Sequence, residues 1–549
     1  MLKSQYDKKD RNYSLSSTLM KYTIKNNTCR HDWKILILLF LSALVLRCFR
    51  LFDLDVWFDE VVLLFQIKGS FADIWNYCKL DNFPPLFPWL MKLWSIIFPG
   101  ENSLRFFSAL MGSLTPPAAY ILGKELLSKR LGLLLGIACL ISVSCLFYSQ
   151  MIRMYSLFPF WACLSLIAFI RGLKTNRWIY WILVACANLL GFYTFLFMLF
   201  LIAAEFIILI WYCRKNPGNL ARPVLAHIPS VILMLFWLGP LVNRFNAIEQ
   251  SFALLDVSGL DFLKLWVFLG TGTYFIDQYW LAALFNSPFL LGIVIGYRTW
   301  WRHDYLRIMA FLFFGIILSV YVISLLGDSI FQKRYFIFLL PVYLALVFAG
   351  WQQLKRRYWS NIGVAITLIS MLISMIFYYV NYIQVHDRSG YSLPYYTGDE
   401  SDGHALSHLA SFVEKRVSNE EVIIHYSEPA RRIQTFFPSL YYHDRALAEY
   451  IYSKAEIPHW AGGQYLKSKE WIRSLYDLEP LPSGIWMVSA NSVEVFFGDR
   501  AEDQASLAQK RKWKWVITDN LPQELREAGY HPVEYYYFGN LTAVYLLRD

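Results

Sequence analysis

The chain has 549 residues, of which 56% are hydrophobic, 18% aromatic and only 17% charged, and it carries a formal net charge of +10. That balance excludes a soluble globular protein and describes a polytopic membrane protein. The positive charge does not point to nucleic acid, because the basic residues sit in short loops between apolar runs, where they set the orientation of a membrane protein.

The first 30 residues are polar and basic and read as a disordered cytoplasmic tail, not a cleavable signal peptide. A helix needs about 20 apolar residues to cross the hydrocarbon core. Eleven stretches meet that need, at roughly 34–52, 104–123, 131–148, 155–171, 178–195, 197–213, 224–242, 281–298, 306–326, 335–351 and 360–382. The segment Leu86–Phe98 is shorter and rich in Trp, Phe and Pro, and reads as a helix lying in the interface. On that reading five basic clusters fall on the side of the basic N-terminus. They are Lys124/Lys129/Arg130, Arg171/Lys174/Arg177, Arg214/Lys215/Arg222, Arg298/Arg302/Arg307 and Lys355/Arg356/Arg357. The N-terminus is then cytoplasmic and the C-terminus extracytoplasmic, with a bacterial inner membrane the expected location. The eight cysteines show no metal-binding or disulfide spacing.

This topology gathers Asp59, Glu60, Asp81, Arg153, Tyr155, Asp256, Asp261, Asp277, Lys333 and Arg334 on the outer face. Adjacent acids against a bilayer are costly unless they meet water, a partner or a substrate. Asp59-Glu60 follows the first span; capping a surface helix would explain one acid better than two. Asp81-Asn-Phe-Pro84-Pro85 comes next, and the two prolines stiffen the chain beside Asp81. Asp59 is placed to accept a proton from an attacking hydroxyl. In Gln150-Met-Ile-Arg153-Met-Tyr155 the arginine has no local acid, since no Asp or Glu occurs between Glu125 and Glu205. Its guanidinium fork suits a phosphate, and snorkelling to lipid headgroups is the bland alternative. Lys333-Arg334 is the one basic pair on the outer side, against the charge rule, and reads as an anion site. Glu205 lies inside a span. His404 and His408 have the i, i+4 spacing of a zinc pair but no third ligand.

Beyond residue 384 the composition becomes that of a soluble domain. Strand-like runs at Glu421–Tyr426, Ile485–Ala490, Trp513–Thr518, Pro532–Phe538 and Thr542–Leu547 accompany helix-like stretches at Ala405–Arg416 and Leu521–Ala528. The chain therefore divides into a tail over 1–30, a membrane domain over 31–383 and an extracytoplasmic α/β domain with a mixed sheet over 384–549.

The ordered set Arg50-Leu51, Trp57-Phe-Asp59-Glu60, Asp81-x-x-Pro84-Pro85-Leu, Arg105-Phe-Phe-Ser-Ala-Leu, Gln150-Met-Ile-Arg153-Met-Tyr155 and Arg334-Tyr335 before Pro341 resembles a known group. It is similar to the GT-C membrane glycosyltransferases of the dolichyl-phosphate-mannose-protein mannosyltransferase superfamily, particularly the bacterial branch with the aminoarabinose transferases of lipid A. The resemblance implies a GT-C-like helical membrane fold and a sugar donor linked to a polyprenyl phosphate. It also implies an extracytoplasmic acceptor and inversion at the sugar carbon. It makes Asp59 the essential acid, accompanied by Glu60, and assigns the lipid phosphate to Arg153 and Arg334; the outer-face reading adds Asp81 to the catalytic set and Tyr155 and Lys333 to the donor site. Phe83 departs from the pattern, standing where many relatives have His, and the second outer loop has no acid. A metal-independent reaction is expected. A lipid or polysaccharide transporter, or a glycolipid-binding relative without activity, is the alternative. A transporter would more often show interrupted, repeat-related helices, which the sequence lacks.

Overall fold

Backbone polar groups cannot be left unpaired in hydrocarbon, so long apolar runs close their hydrogen bonds within helices. The computed structural model describes residues 29–56, 58–80, 83–214, 217–240, 257–272, 279–327, 329–382, 404–426, 436–453, 469–490, 522–538 and 541–549. Asp81, Asp256, Asp277 and the strand expected at 513–518 lie outside the described residues.

Among the described residues every element up to Val380 is helical. The first group runs α1 (Cys29–Cys48), α2 (Phe58–Lys68), α3 (Phe71–Leu80), α4 (Leu86–Ile97), α5 (Glu101–Gly112), α6 (Thr115–Leu126), α7 (Lys129–Ile141) and α8 (Val143–Ser149). The second runs α9 (Phe158–Thr175), α10 (Trp178–Thr194), α11 (Met198–Cys213), α12 (Ala221–Leu235), α13 (Gly259–Gly270), α14 (Tyr279–Arg302), α15 (Asp304–Leu326), α16 (Leu340–Gln352) and α17 (Arg357–Val380). Short 3₁₀ turns at Met154–Ser156 and Lys333–Leu339 lead into α9 and α16.

By length and composition, six helices among the described residues are able to cross a membrane, and a seventh span forms if α7 and α8, bent by 53°, count as one. Eleven were expected, and the difference has local causes. The stretch 104–123 is cut at Ser113-Leu114, because Pro116 and Pro117 suit only the first turn of a new helix. At 17 and 16 residues, α10 and α11 reach about 25 Å, short of the hydrocarbon thickness. At 20 residues α1 is long enough, but it carries Asp32, Lys34 and Arg47. The 12-residue α4 is too short to span.

The bundle is built around α16, which is buried along almost its whole length, as an all-apolar helix must be. Glycines allow its closest crossings. A Cβ on Gly292 of α14 would lie 2.9 Å from the carbonyl of Val347, and one on Gly123 of α6 would lie 2.8 Å from the Cα of Gly132 on α7. At the start of α1, Asp32 accepts from Tyr120 at 3.0 Å and binds Lys124 at 2.5 Å and Lys129 at 3.0 Å. At its other end the fully buried Arg47 donates to Ser149 at 3.1 Å and to the carbonyls of Ala43 and Cys139.

The C-terminal region forms a six-stranded sheet in the order β3-β2-β1-β4-β6-β5. The strands are β1 (Glu421–Tyr426), β2 (Glu449–Tyr452), β3 (Trp471–Ile472), β4 (Gly484–Ala490), β5 (Tyr530–Phe538) and β6 (Leu541–Arg548). Pairs β1–β2, β2–β3 and β1–β4 are parallel, while β4–β6 and β5–β6 are antiparallel, so the sheet is mixed. Alternate side chains enter separate cores: Ile424, Met487 and Val544 on one face, Ile423, Trp486 and Ala543 on the other. Helices α18 (Ala405–Glu414), α19 (Phe436–Tyr442) and α20 (Gln523–Glu527) accompany it.

Candidate active site

The site begins where α1 ends. The chain turns through Arg50, whose φ of +58° is unusual for a side chain of this size. The turn is secured by Arg50 donating to Asp53 at 2.6 Å and to the Tyr379 carbonyl at 2.8 Å. Asp59 and Glu60 then fall in the first turn of α2, where the helix dipole favours negative charge.

The two acids have different surroundings. Glu60 is 2% exposed. One of its oxygens accepts the Ile152 main-chain N–H at 2.7 Å, and the other lies 3.3 Å from Arg105. Arg105, on the buried face of α5, also donates to the carbonyls of Leu54 and Asp55. Glu60 thus ties the first loop to α5 and to the loop that carries Arg153. The Asp59 side chain is 27% exposed, with Arg153 at 3.6 Å and Arg334 at 4.0 Å from the same oxygen.

The cations are positioned by aromatic walls. Arg153 sits in extended conformation ahead of the 3₁₀ turn Met154–Ser156, donates to the Asp59 carbonyl at 3.2 Å, and lies over the Phe83 ring at 4.6 Å. Arg334 lies over Tyr155 at 5.5 Å and over Tyr335 at 5.3 Å. Tyr155 and Tyr335 stack at 6.4 Å, and Phe195 packs edge-on against both. These rings lower the local dielectric, which strengthens every charge interaction beside them. Two buried donors here have no hydrogen-bond partner: Arg153 Nε and the Tyr155 hydroxyl. Buried donors are seldom left so. The pattern suits an anion with several acceptor oxygens.

Of the residues expected from sequence, Asp59, Arg153, Tyr155 and Arg334 come together here, with Glu60 buried alongside. Lys333 is half-buried at the head of the Lys333–Leu339 turn. Asp261 lies elsewhere, capping α13 through Ser258. Glu205 is buried in a network with Ser165 and Asn188. His404 contacts Asp55 at 3.2 Å, and no group of three His, Cys, Asp or Glu residues able to hold a metal occurs among the described residues. Phe83, Phe195, Tyr335 and the bracing role of Arg105 were not foreseen. Arg105 and Tyr335 stand in the motifs that carry the resemblance and Phe83 departs from one, but no motif shows which side chains these residues touch, and Phe195 has no signal beyond an apolar run.

Residues 82–242, which include Phe83, Arg105, Arg153 and Tyr155, match the sequence family of dolichyl-phosphate-mannose-protein mannosyltransferases. No curated protein sequence matches the chain. Its structure is similar to that of ArnT from Cupriavidus metallidurans in the apo state, with a TM-score of 0.59 at 12% identity over 93% of this chain and 98% of that one. The same protein bound to undecaprenyl phosphate gives a TM-score of 0.56 at 12% identity over the same shares. Over residues 82–242 the chain is thus similar in sequence to the dolichyl-phosphate-mannose-protein mannosyltransferases, and over nearly its whole length it shares the fold of ArnT.

Proposed function

We propose that this protein transfers one hexose or pentose unit from a polyprenyl monophosphate carrier to a hydroxyl acceptor outside the cytoplasm, with inversion. The observation that carries the reading is one partly exposed carboxylate, Asp59, beside two buried guanidinium groups, with Arg153 Nε and the Tyr155 hydroxyl lacking partners. The undecaprenyl phosphate bound to the similar ArnT supports a lipid phosphate as the anion.

In this mechanism the acceptor oxygen attacks the anomeric carbon from the face opposite the phosphate. Its proton passes to Asp59 as the new C–O bond forms. The bond from the anomeric carbon to the phosphate oxygen breaks, and its electron pair leaves with polyprenyl phosphate. Arg153 and Arg334 stabilise the growing phosphate charge, with Lys333 close in sequence to the second of them. Such preorganised cations act most strongly in a site shielded from water. A single displacement inverts the sugar carbon. The guanidinium groups supply the electrostatic role that a divalent metal would fill, so activity is expected to survive EDTA. The acceptor side is extracytoplasmic in this reading, with the N-terminus inside and the membrane that of a bacterial envelope.

The test is purified protein in lipid with a panel of radiolabelled polyprenyl-phosphate sugars and crude envelope acceptor, following release of free polyprenyl phosphate. One donor turned over by wild type and not by Asp59→Asn supports the reading and names the sugar. No turnover of any donor refutes it.

A further inference from the structure

A buried carboxylate four residues before Asp59 has no part in the proposed chemistry. Asp55 is 5% exposed, and its side chain faces the C-terminal region. One oxygen accepts the Ser407 main-chain N–H at 2.8 Å, and the other lies 3.2 Å from His404 Nδ1. Ser407 is in the first turn of α18, where N–H groups have no partner inside the helix. Asp55 therefore caps a helix that begins about 350 residues further along the chain. The main chain of the same residue faces the membrane helices, since its carbonyl accepts from Arg105 at 2.6 Å, and Arg105 also holds Glu60.

A second link lies beside it. The Val56 N–H donates to the Tyr442 oxygen at 2.8 Å, at the end of α19. Phe437 of α19 packs edge-on against Phe65 of α2, with ring centroids 5.8 Å apart. The stretch from Leu54 to Glu60 is thus gripped by α5 on one side and by α18 and α19 on the other.

We propose that Asp55 is a positioning residue: by capping α18 it couples the C-terminal domain to the loop that aims Asp59. The coupling rests on Asp59 being the acid of the transfer reaction. A helix N-terminus suits a carboxylate, and Asn caps about as well as Asp whereas Ala does not. Displacing a reacting group by about 1 Å can cost about 100-fold in rate. A loose loop is therefore read in turnover, not in donor affinity.

Hydrogen–deuterium exchange on the full-length protein in lipid nanodiscs, together with steady-state kinetics, tests this. In Asp55→Ala, exchange at 404–410 and at 54–62 is expected to rise together by about fivefold, with 340–352 unchanged. Turnover is expected to fall about 10- to 100-fold with the donor KM unchanged, and Asp55→Asn should restore both. Exchange confined to 404–410, or Asp55→Ala turning over at the wild-type rate, overturns the proposal. If Asp55→Ala does not fold, Tyr442→Phe cuts the second link at nearly constant volume and is read by the same criteria. If wild type turns over no polyprenyl-phosphate sugar, the functional reading falls and the exchange pattern alone decides the coupling.

Discussion

Both ends of α1 place one carboxylate against two cations, yet the two clusters are built differently. At the start of the helix Asp32 binds Lys124 at 2.5 Å and Lys129 at 3.0 Å and also accepts from Tyr120. Beyond its other end Asp59 stands 3.6 Å from Arg153 and 4.0 Å from Arg334, while Arg153 Nε and the Tyr155 hydroxyl have no partner. Equal charge counts give a closed clamp in one place and an open one in the other. A closed clamp holds helices together. An open clamp, walled by aromatic rings and short of acceptors, leaves donors that a further acceptor would satisfy, as the proposed function requires.

The largest effect should come from the open cluster. Asp59→Asn keeps the shape and removes the proposed base, so turnover is expected to fall by about 10²- to 10⁴-fold with little change in donor KM. In Asp32→Asn turnover should stay within about threefold, because that carboxylate is far from the open cluster. The loss there should appear as stability, about 1.5–3 kcal/mol for hydrogen bonds to a charged group. Side-by-side kinetics and thermal melts of the two variants break the comparison if both respond in the same way.

The next effect separates the cations. Arg153→Lys keeps the charge but loses the fork, so affinity for undecaprenyl phosphate should fall about 10-fold or more. Arg171→Lys, in the closed pair of Arg171 and Lys174 with Glu125, should leave that affinity unchanged within about twofold. Equilibrium binding of the lipid phosphate, with no sugar present, reads this directly. Equal losses in both variants would mean that the open cluster has no special claim on the anion.

Part of this contrast is legible in the sequence. An acidic pair after the first span, and an arginine in a long stretch without acids, mark Asp59, Glu60 and Arg153 as costly residues in search of partners. That Asp59, Arg153 and Arg334 meet is visible only in the structure, and their roles belong to the proposal. Other features leave no local pattern. Asp55 meets Ser407 across 352 positions, and Phe83 serves Arg153 as a stacking surface across a separate loop. The four-residue β2 and the two-residue β3 are too short for strand periodicity to show. The span count suffered for a related reason. Composition sees apolar length, but Ser113-Leu114 before two prolines and the break at Ser142 divide helices that composition joins.

A third buried carboxylate, held by two imidazoles and not by two fixed cations, sharpens the rule, since burial lowers the His425 pKa and favours its neutral form. In the sheet, Glu449 is 5% exposed and lies 3.1 Å from His425 and 2.5 Å from His443. Burial alone would raise its pKa, but hydrogen bonds from the two histidines outweigh burial and hold it at about 2, below the ordinary 4.5. A depressed carboxylate stabilises the fold above its unfolded pKa and loses that contribution as the pH falls. The C-terminal sheet region should therefore lose stability between about pH 4.5 and pH 2. Glu449→Gln should flatten that acid limb and cost about 1–3 kcal/mol at neutral pH, since the amide cannot accept from both imidazoles and leaves a buried donor unsatisfied. An acid limb unchanged in the variant would assign the titration to other groups.

The smallest effect belongs to Lys264 and Asp261, 3.4 Å apart on α13 with side chains 48% and 27% exposed. An exposed i, i+3 pair contributes little, so Lys264→Ala should change stability by less than about 0.5 kcal/mol, and salt should erase even that. Removing the other partner is a different experiment. Asp261 also accepts the Ser258 N–H at 2.8 Å, completing the cap of α13, so Asp261→Ala should cost about 1 kcal/mol in a way that salt does not erase. Melts of both variants at low and high salt separate the two terms. Equal, salt-sensitive losses would mean that the ion pair, not the cap, holds that end of the helix. A larger loss from Asp261→Ala would show, on a cluster away from the open one, that a carboxylate's worth is set by the donors it satisfies and not by the cation nearest to it.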